Sequence, residues 1–191
     1  MNVVYQDNFL TPEEIEFCLS FYDKIDKEIG WESSEIDFWE GRVFDVSNIM
    51  DKLGDRSAYG SFIKILKRMQ DFIMSQFDLT ETVYPDTMQL VKWMEGSYQP
   101  PHADNAELDG TDNYTPWRLY SGILYLNDDY EGGQTYFSNY DYEVEPKAGR
   151  IAIFYGDLDH EHGVREITSG ERKTIVTFWC HAFLNKSLRL G

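Results

Sequence analysis

The sequence predicts a mainly β fold with N-terminal helices, of the α+β class, in a single domain of residues 1–191. Two observations predict this fold. Apolar side chains recur at helical spacing only in about residues 1–80. About residues 81–191 consist of short runs rich in β-branched and aromatic residues, separated by Gly, Pro, Asn or Asp. No linker rich in Pro, Gly or Ser divides the two parts, so we expect a helical supporting region packed on an antiparallel β-sandwich or barrel.

The first part contains two predicted helices after a short strand over residues 3–9. Thr11 is suited to cap the first helix, Pro12 suits its first position, and Glu14 completes a capping box. The second helix is predicted over about residues 57–77 because its apolar residues fall on one side. Residues 31–56 are acidic and aromatic without a clear period. The apolar stripe of the first helix consists of Ile15, Cys18, Leu19 and Tyr22.

Six strands are predicted in the second part, where apolar runs end at turn-forming residues. Pro100 and Pro101 follow the first of these strands and are expected to stop strand pairing there, because proline has no backbone N–H to donate. The predicted strands span residues 88–93, 119–126, 134–138, 150–155, 162–167 and 173–182.

The composition indicates a folded, acidic protein. Hydrophobic residues make up 42% and aromatic residues 16% of the chain, which excludes a disordered protein. The formal net charge of −17 repels phosphate backbones, so no nucleic-acid partner is expected and basic or neutral partners are favoured. The two cysteines, the lack of a signal-peptide pattern and the lack of an apolar run of about 18 residues predict a cytoplasmic protein without a membrane partner.

His102, Asp104 and His162 form the strongest chemical signal in the sequence. A histidine and a carboxylate two positions apart on a strand point to the same face, and a histidine from a distant strand completes the set. Two histidines and one carboxylate hold Fe(II) on one triangular face and leave the opposite positions open. Arg172 offers a planar fork for the carboxylate of an acidic co-substrate. His160 lies on the same face of its segment as His162, so it is a rival for the distal ligand.

An ordered series of short motifs surrounds these residues. The motifs are His102-Ala103-Asp104, Tyr125-Leu126-Asn127, Gly132-Gly133-Gln134-Thr135-Tyr136-Phe137, Gly149-Arg150-Ile151-Ala152-Ile153-Phe154, His162-Gly163-Val164 and Gly170-Glu171-Arg172. In this order they resemble the 2-oxoglutarate and Fe(II)-dependent dioxygenases, specifically the prolyl 4-hydroxylase-like branch, over residues 88–180. The sequence departs from the common pattern at Trp93, where many relatives have a tyrosine.

This resemblance implies a double-stranded β-helix (jelly roll) catalytic core over about residues 81–191. It also implies an oxygenase that hydroxylates an unactivated C–H bond, with a prolyl residue of a peptide or protein as the favoured substrate. The implied cofactor is Fe(II), the implied co-substrates are 2-oxoglutarate and O2, and ascorbate is a further candidate. The resemblance favours His162 over His160. The implied catalytic metal ligands are His102, Asp104 and His162, and the implied co-substrate-binding residues are Arg172, Tyr125 and Thr174.

Two alternatives are left open by the sequence. The first is a non-catalytic jelly-roll module that holds structural Zn²⁺, although such sites normally close with four protein ligands and His160 is the only nearby fourth. The second is a dioxygenase that acts on a free amino acid or another small molecule. Metal-dependent succinate production separates the first alternative from the main interpretation.

An acidic entrance favours a basic substrate. Residues 105–117 follow Asp104 as a long polar segment, and a long loop attached to a metal ligand is more often a lid or binding loop than filler. The acidic side chains expected at this entrance are Glu107, Asp109 and Asp112, together with Glu32, Glu35 and Asp37.

Overall fold

The structure, a computed structural model, describes residues 2–35, 37–182 and 188. The helices within these residues are α1 (Pro12–Lys24), α2 (Asn48–Leu53) and α3 (Arg56–Gln76), and short 3₁₀ or π-helical turns cover Ile25–Ile29, Asp37–Trp39 and Leu158–His160. The strands are β1 (Val4–Gln6), β2 (Val43–Asp45), β3 (Tyr84–Trp93), β4 (Gln99–His102), β5 (Tyr120–Tyr125), β6 (Glu131–Gly132), β7 (Thr135–Phe137), β8 (Tyr142–Val144), β9 (Ile151–Tyr155), β10 (His162–Val164), β11 (Ile167–Ser169) and β12 (Arg172–Cys180).

The two long helices begin at the residues that their capping chemistry requires. Thr11 Oγ1 accepts from the Glu14 backbone N–H at 3.3 Å, and the Glu14 carboxylate accepts from the Thr11 backbone N–H at 3.0 Å. This reciprocal pair is the predicted capping box. The Asp55 carboxylate accepts from the Ala58 N–H and caps α3, which matches the predicted helix to within one residue at each end. None of the described helices is long and apolar enough to span a membrane.

The described strands form two main antiparallel sheets and a two-stranded pair. The six-stranded sheet has the order β1-β9-β5-β12-β3-β2, the four-stranded sheet the order β4-β10-β7-β8, and β11 pairs with β6. Strand β5 is buried along its whole length because its two faces serve two cores. Leu124 packs with α1 and α3 behind the sheet, whereas Ile123 and Tyr125 pack with residues of the four-stranded sheet. The predicted mainly β fold with supporting helices is confirmed.

The expectation that Pro100 and Pro101 stop strand pairing is only partly correct, because the strand continues through both prolines but its register with β10 shifts between Gln99 and His102. Both prolines lie in β4, which pairs with β10 so that His162 lies opposite His102. Proline is tolerated here because β4 is an edge strand. It has a neighbouring strand on one side only, so fewer of its residues need a backbone N–H for strand pairing. The predicted strand over residues 162–167 divides into β10 and the start of β11, and the sequence did not predict α2, β2, β6 or β8.

Candidate active site

The three predicted metal ligands lie together at the β4 edge of the four-stranded sheet. His102 is the last residue of β4, Asp104 follows in a bend, and His162 is the first residue of β10. One side-chain nitrogen or oxygen of each residue lies within 4.8 Å of the others. Within the described residues, this is the one group of three such donors that is placed to hold a metal ion.

Backbone carbonyls orient both histidines. His102 Nδ1 donates to Pro100 O at 3.2 Å and His162 Nδ1 donates to His160 O at 3.0 Å, because a carbonyl oxygen only accepts. The Nε2 atoms therefore carry the lone pairs, and they face Asp104 at 3.5 Å from Oδ1 and 3.7 Å from Oδ2, respectively. Two imidazole nitrogens and one carboxylate oxygen are the donor set that Fe(II) takes in oxygenases, so these residues fit that metal.

Asp104 is held by three other segments. Its backbone N–H donates to Gly156 O at 2.9 Å, its backbone oxygen accepts from Thr115 Oγ1 at 2.9 Å, and its Oδ2 accepts from Ser121 Oγ. Position 156 requires glycine, because a Cβ there would lie 2.8 Å from Arg118 O and 3.2 Å from Asp104 Cβ. Ser121 was not predicted from the sequence, although a serine inside a buried, otherwise apolar strand is a local signal for a polar partner.

The charges of the cluster favour an ionised carboxylate beside a neutral imidazole. Burial raises the pKa of Asp104, but His162, His102 and the Ser121 hydroxyl together hold it at about 2. Burial lowers the pKa of His162 to about 4. Burial also lowers the pKa of His102, but the hydrogen bond and charge of Asp104 outweigh this and raise it above its ordinary value. At neutral pH, Asp104 and His162 are therefore in the protonation states that bind a cation.

Arg172 lies at the start of β12 with 1% of its surface exposed. Its guanidinium carbon is 5.2 Å from the Trp93 ring centroid and 5.3 Å from the Tyr125 ring centroid. Nη2 donates to Thr135 Oγ1 at a long 3.3 Å, and no carboxylate of the described residues forms an ion pair with it. A buried cation is costly without a counter-ion, so this position suits a ligand that brings a carboxylate.

Two side-chain atoms near Arg172 resemble its Nε in being buried without a hydrogen-bond partner among the described residues. Arg172 Nε, Trp93 Nε1 and Thr174 Oγ1 are all buried without a hydrogen bond to any described residue. Trp93 lies opposite Arg172 in the register of β3 and β12, and Thr174 follows two residues along β12. Most buried donors in folded proteins are paired, so a cluster of unpaired ones fits a bound group with several acceptor oxygens, such as 2-oxoglutarate.

One cavity of about 560 Å³ joins the metal cluster to Arg172. This volume lies in the range of small-molecule sites. The cavity floor is formed by the central strands of the six-stranded sheet, and two polar segments of the chain lie along its sides. Besides the predicted ligands and Arg172, the lining includes the apolar residues Trp39, Val91, Trp93, Val176 and Phe178 and the polar residues Glu32, Ser33, Ser34, Asn113 and Thr115.

The two predicted helpers of Arg172 lie beside it but outside the cavity lining. The Tyr125 hydroxyl is 2.7 Å from Thr135 Oγ1, the same atom that accepts from Arg172. Thr135 lines the cavity, whereas Tyr125 and Thr174 do not. Thr135 was not predicted as a site residue, although it is the threonine of the Gly-Gly-x-Thr motif. The co-substrate roles of Arg172, Tyr125 and Thr174 stay predictions.

His160 is not part of the metal cluster. Its Nδ1 is 2.6 Å from Asp157 Oδ1, and its Nε2 accepts from the Asn2 backbone N–H at 3.3 Å. Both ring nitrogens are thus engaged, and the side chain is buried. The geometry therefore favours His162 as the distal ligand.

The acidic residues predicted at the entrance are divided by the structure. Glu32 lines the cavity, Glu35 is exposed, and the side chain of Asp37 lies outside the described part of the chain. Asn113 and Thr115 bring the long loop to the cavity. The three loop acids are exposed and lie outside the cavity lining, namely Glu107, Asp109 and Asp112.

Part of the chain is similar to known oxygenase sequences. Residues 88–181 match the family model described as the 2OG-Fe(II) oxygenase superfamily. Prolyl 3-hydroxylase 2 of Rattus norvegicus is 33% identical over 140 residues, which cover 62% of this chain and 20% of that protein. Prolyl 3-hydroxylase 3 of Homo sapiens is 38% identical over 93 residues, which cover 42% of this chain and 12% of that protein. The chain thus spans about a fifth or less of the length of these curated relatives.

Solved structures resemble almost the whole chain. A viral collagen prolyl hydroxylase from Paramecium Bursaria Chlorella virus-1, in a 2OG complex, superposes with a TM-score of 0.68 at 18% identity, covering 94% of this chain and 96% of that one. A Pseudomonas putida prolyl-4-hydroxylase gives a TM-score of 0.69 at 17% identity and covers 94% and 92%, respectively. The predicted double-stranded β-helix core is confirmed, as are Fe(II) and 2-oxoglutarate as the cofactor and co-substrate of the matched superfamily. Ascorbate stays a prediction.

Proposed function

We propose that this chain, which matches the 2OG-Fe(II) oxygenase superfamily over residues 88–181, hydroxylates a prolyl residue of a peptide or protein. The single observation that carries this proposal is the shared cavity, which presents His102, Asp104 and His162 on one side and the unpaired Arg172 on another. A metal centre alone would fit many proteins. The buried, unpaired guanidinium in the same cavity adds a site for an acidic co-substrate.

The residues of the chain have separable tasks. His102, Asp104 and His162 would hold Fe(II) and leave its other positions open, and Arg172 would pair with the distal carboxylate of 2-oxoglutarate. With Fe(II), 2-oxoglutarate and O2 bound, the site would supply an oxidation in which O2 provides both oxygen atoms: one enters the substrate C–H bond, and the other enters the succinate that 2-oxoglutarate becomes on losing CO2. The apolar side chains Val91, Val176 and Phe178 line the rest of the cavity and would contact the apolar ring of a prolyl substrate.

The position of hydroxylation on the ring is a separate question. The sequence relatives named above are prolyl 3-hydroxylases, whereas a solved structure of similar fold is named a prolyl-4-hydroxylase. The product therefore has to be identified by its ring position as well as its mass. A closed structural zinc site is less favoured, because the donor group within the described residues has three members and not four.

The test is succinate formation from 2-oxoglutarate with Fe(II), O2 and a panel of peptides. We expect proline-containing peptides to stimulate succinate formation and to gain the mass of one oxygen atom on proline, whereas matched peptides with alanine do neither. NMR of the hydrolysed product assigns the 3- or 4-position. Asp104→Ala is the metal-site control. Turnover of free proline without turnover of any peptide would contradict the proposal.

The nature and location of the substrate are further parts of the proposal. The net charge of −17 and the Glu32 carboxylate in the cavity lining support a substrate with basic residues near the target proline. Peptides that carry lysine on either side of proline should therefore have a lower KM than peptides that carry glutamate there. A cytoplasmic location is proposed from the sequence, and cell fractionation tests it.

A further inference from the structure

Each of the three metal ligands has an outer hydrogen-bond partner. For the Nδ1 atoms of His102 and His162 the partners are backbone carbonyls, which no side-chain substitution removes, and Gln99 Nε2 lies 3.3 Å from the metal-facing Nε2 of His102. For Asp104 the partner is a side chain, the Ser121 hydroxyl. Outer partners of this kind orient a ligand and tune its affinity for the metal, so Ser121 is the one that mutation can test directly.

Ser121 is well placed to fix the Asp104 carboxylate. Asp104 lies in a bend beyond the end of β4, so no strand pairing sets the direction of its side chain. Ser121, by contrast, is 1% exposed near the start of β5, between two neighbouring strands of the six-stranded sheet. The hydroxyl that donates to Asp104 Oδ2 is therefore held by rigid backbone.

The close packing of Gly156 supports the same contact. A Cβ at position 156 would lie 3.2 Å from Asp104 Cβ and 3.5 Å from Ser121 Oγ. Gly156 O also accepts from the backbone N–H groups of Asp104 and Asn105, at 2.9 and 3.1 Å. The backbone and the side chain of Asp104 are thus fixed from different directions, and one carboxylate oxygen is left for the metal.

We propose that Ser121 is a positioning residue of the metal centre, which engages Asp104 Oδ2 so that Oδ1 binds the metal. Oδ1 lies 3.5 Å from His102 Nε2 and Oδ2 lies 3.7 Å from His162 Nε2, so the two oxygens differ in that Oδ2 also accepts from Ser121. A carboxylate that binds through one oxygen gives the metal three protein donors, whereas binding through both would use a position that the co-substrates need. This inference rests on the proposed function for the identity of the metal site, but its test does not require turnover.

The experiment measures the affinity of the full chain for Mn(II) by EPR titration. Ser121→Ala should weaken Mn(II) binding by about 10- to 100-fold, because outer-partner substitutions have effects of this size. Ser121→Thr keeps the hydroxyl and should restore binding to near the wild-type value. Ser97→Ala is the matched control, since Ser97 is another buried serine and its hydroxyl bonds to Arg42 and to the Met94 N–H.

A double-mutant cycle tests whether Ser121 acts through Asp104. In an Asp104→Ala background, Ser121→Ala should cause no further loss of Mn(II) affinity. The inference would be overturned by wild-type affinity in Ser121→Ala or by a loss in Ser121→Thr as large as that in Ser121→Ala. It would also be overturned if Ser121→Ala caused the same loss in the Asp104→Ala background as in the wild-type chain. Should Ser121→Ala not fold, Ser121→Cys, which retains a weak donor of similar size, should show an intermediate loss, and wild-type affinity there would also overturn it. Absence of Mn(II) binding by the wild-type chain would instead contradict the proposed function.

Discussion

Replacement of Arg172 by methionine tests the co-substrate pocket most directly. Methionine has a similar length but no charge, so it fills the space beside Trp93 and Tyr125 without a donor. In the wild-type chain the guanidinium donates a long hydrogen bond to Thr135, lies beside the Tyr130 hydroxyl, and forms no ion pair within the described residues. Its binding capacity is therefore available to a ligand. Loss of one partner of a buried charge pair costs about 2–5 kcal/mol, or about 30- to 4,000-fold in affinity.

We expect the substitution to lower the affinity for 2-oxoglutarate but not the stability of the ligand-free chain. Arg172→Met should weaken 2-oxoglutarate binding to the Mn(II)-loaded protein by that factor in anaerobic calorimetry. The same variant should be as stable as the wild type, or more stable, when 2-oxoglutarate is absent, because an unpaired buried cation is replaced by an apolar side chain. Arg172→Lys should lose less affinity, since it keeps the charge but not the fork.

A ligand without the distal carboxylate gives the decisive control. 2-Oxopentanoate should bind the wild type and Arg172→Met equally weakly, because the group that Arg172 recognises is missing. Arg118→Met is a control for the loss of any cavity arginine, since Arg118 already pairs with Asp86 at 2.8 Å. The reasoning would be refuted by wild-type affinity for 2-oxoglutarate in Arg172→Met, or by an equal loss for 2-oxopentanoate.

The metal cluster and the entrance provide three more tests. Alanine at any predicted metal ligand should abolish succinate formation, whereas His160→Ala should keep most of it when assayed below the melting temperature of that variant. An inactive His160→Ala beside an active His162→Ala would show that the distal ligand is misassigned. Mn(II) binding should weaken as the pH falls through the raised pKa of His102, because a protonated imidazole has no lone pair, and titrations over about pH 5–8 that show no change would contradict this. Neutralising the three loop acids with Glu107→Gln, Asp109→Asn and Asp112→Asn should raise the KM for a basic peptide and reduce the salt dependence of that KM. The same substitutions should not affect peptide-independent decarboxylation of 2-oxoglutarate. An unchanged KM would exclude the loop as a docking surface.

The parts of the fold that the sequence predicted depend on local chemistry. The capping box at Thr11 and Glu14 needs only residues three apart, and the apolar period of α3 is continuous over its length. The elements it missed depend on distant partners. Strand β4 contains two prolines and is a strand only because β10 lies beside it, and β6 has two residues that pair with β11. Local propensity carries no information about such pairings.

The same distinction applies to the site. His102, Asp104, His162 and Arg172 could be proposed from residue type and spacing, because metal ligands and buried arginines are chemically unusual. Ser121 is a serine, a residue type without a distinctive chemical role, and it lies 17 residues from its partner Asp104 in sequence. Glu107, Asp109 and Asp112 were grouped with the entrance by proximity to Asp104 in sequence, but all three are exposed and lie outside the cavity lining. Sequence distance was a poor guide in both cases.

The pattern of unpaired polar atoms connects the stability of the fold with its proposed activity. Three of the six buried side-chain atoms without partners in the described residues are Arg172 Nε, Trp93 Nε1 and Thr174 Oγ1, which lie around one strand pair. Each unpaired buried group costs about 1–3 kcal/mol of folding free energy. A carboxylate that pairs with Arg172 and Trp93 would remove much of that cost, so co-substrate binding and stabilisation of this part of the sheet are the same physical event. Half of the unpaired buried side-chain atoms among the described residues thus lie where the proposed chemistry needs a ligand, whereas two apolar clusters supply the core.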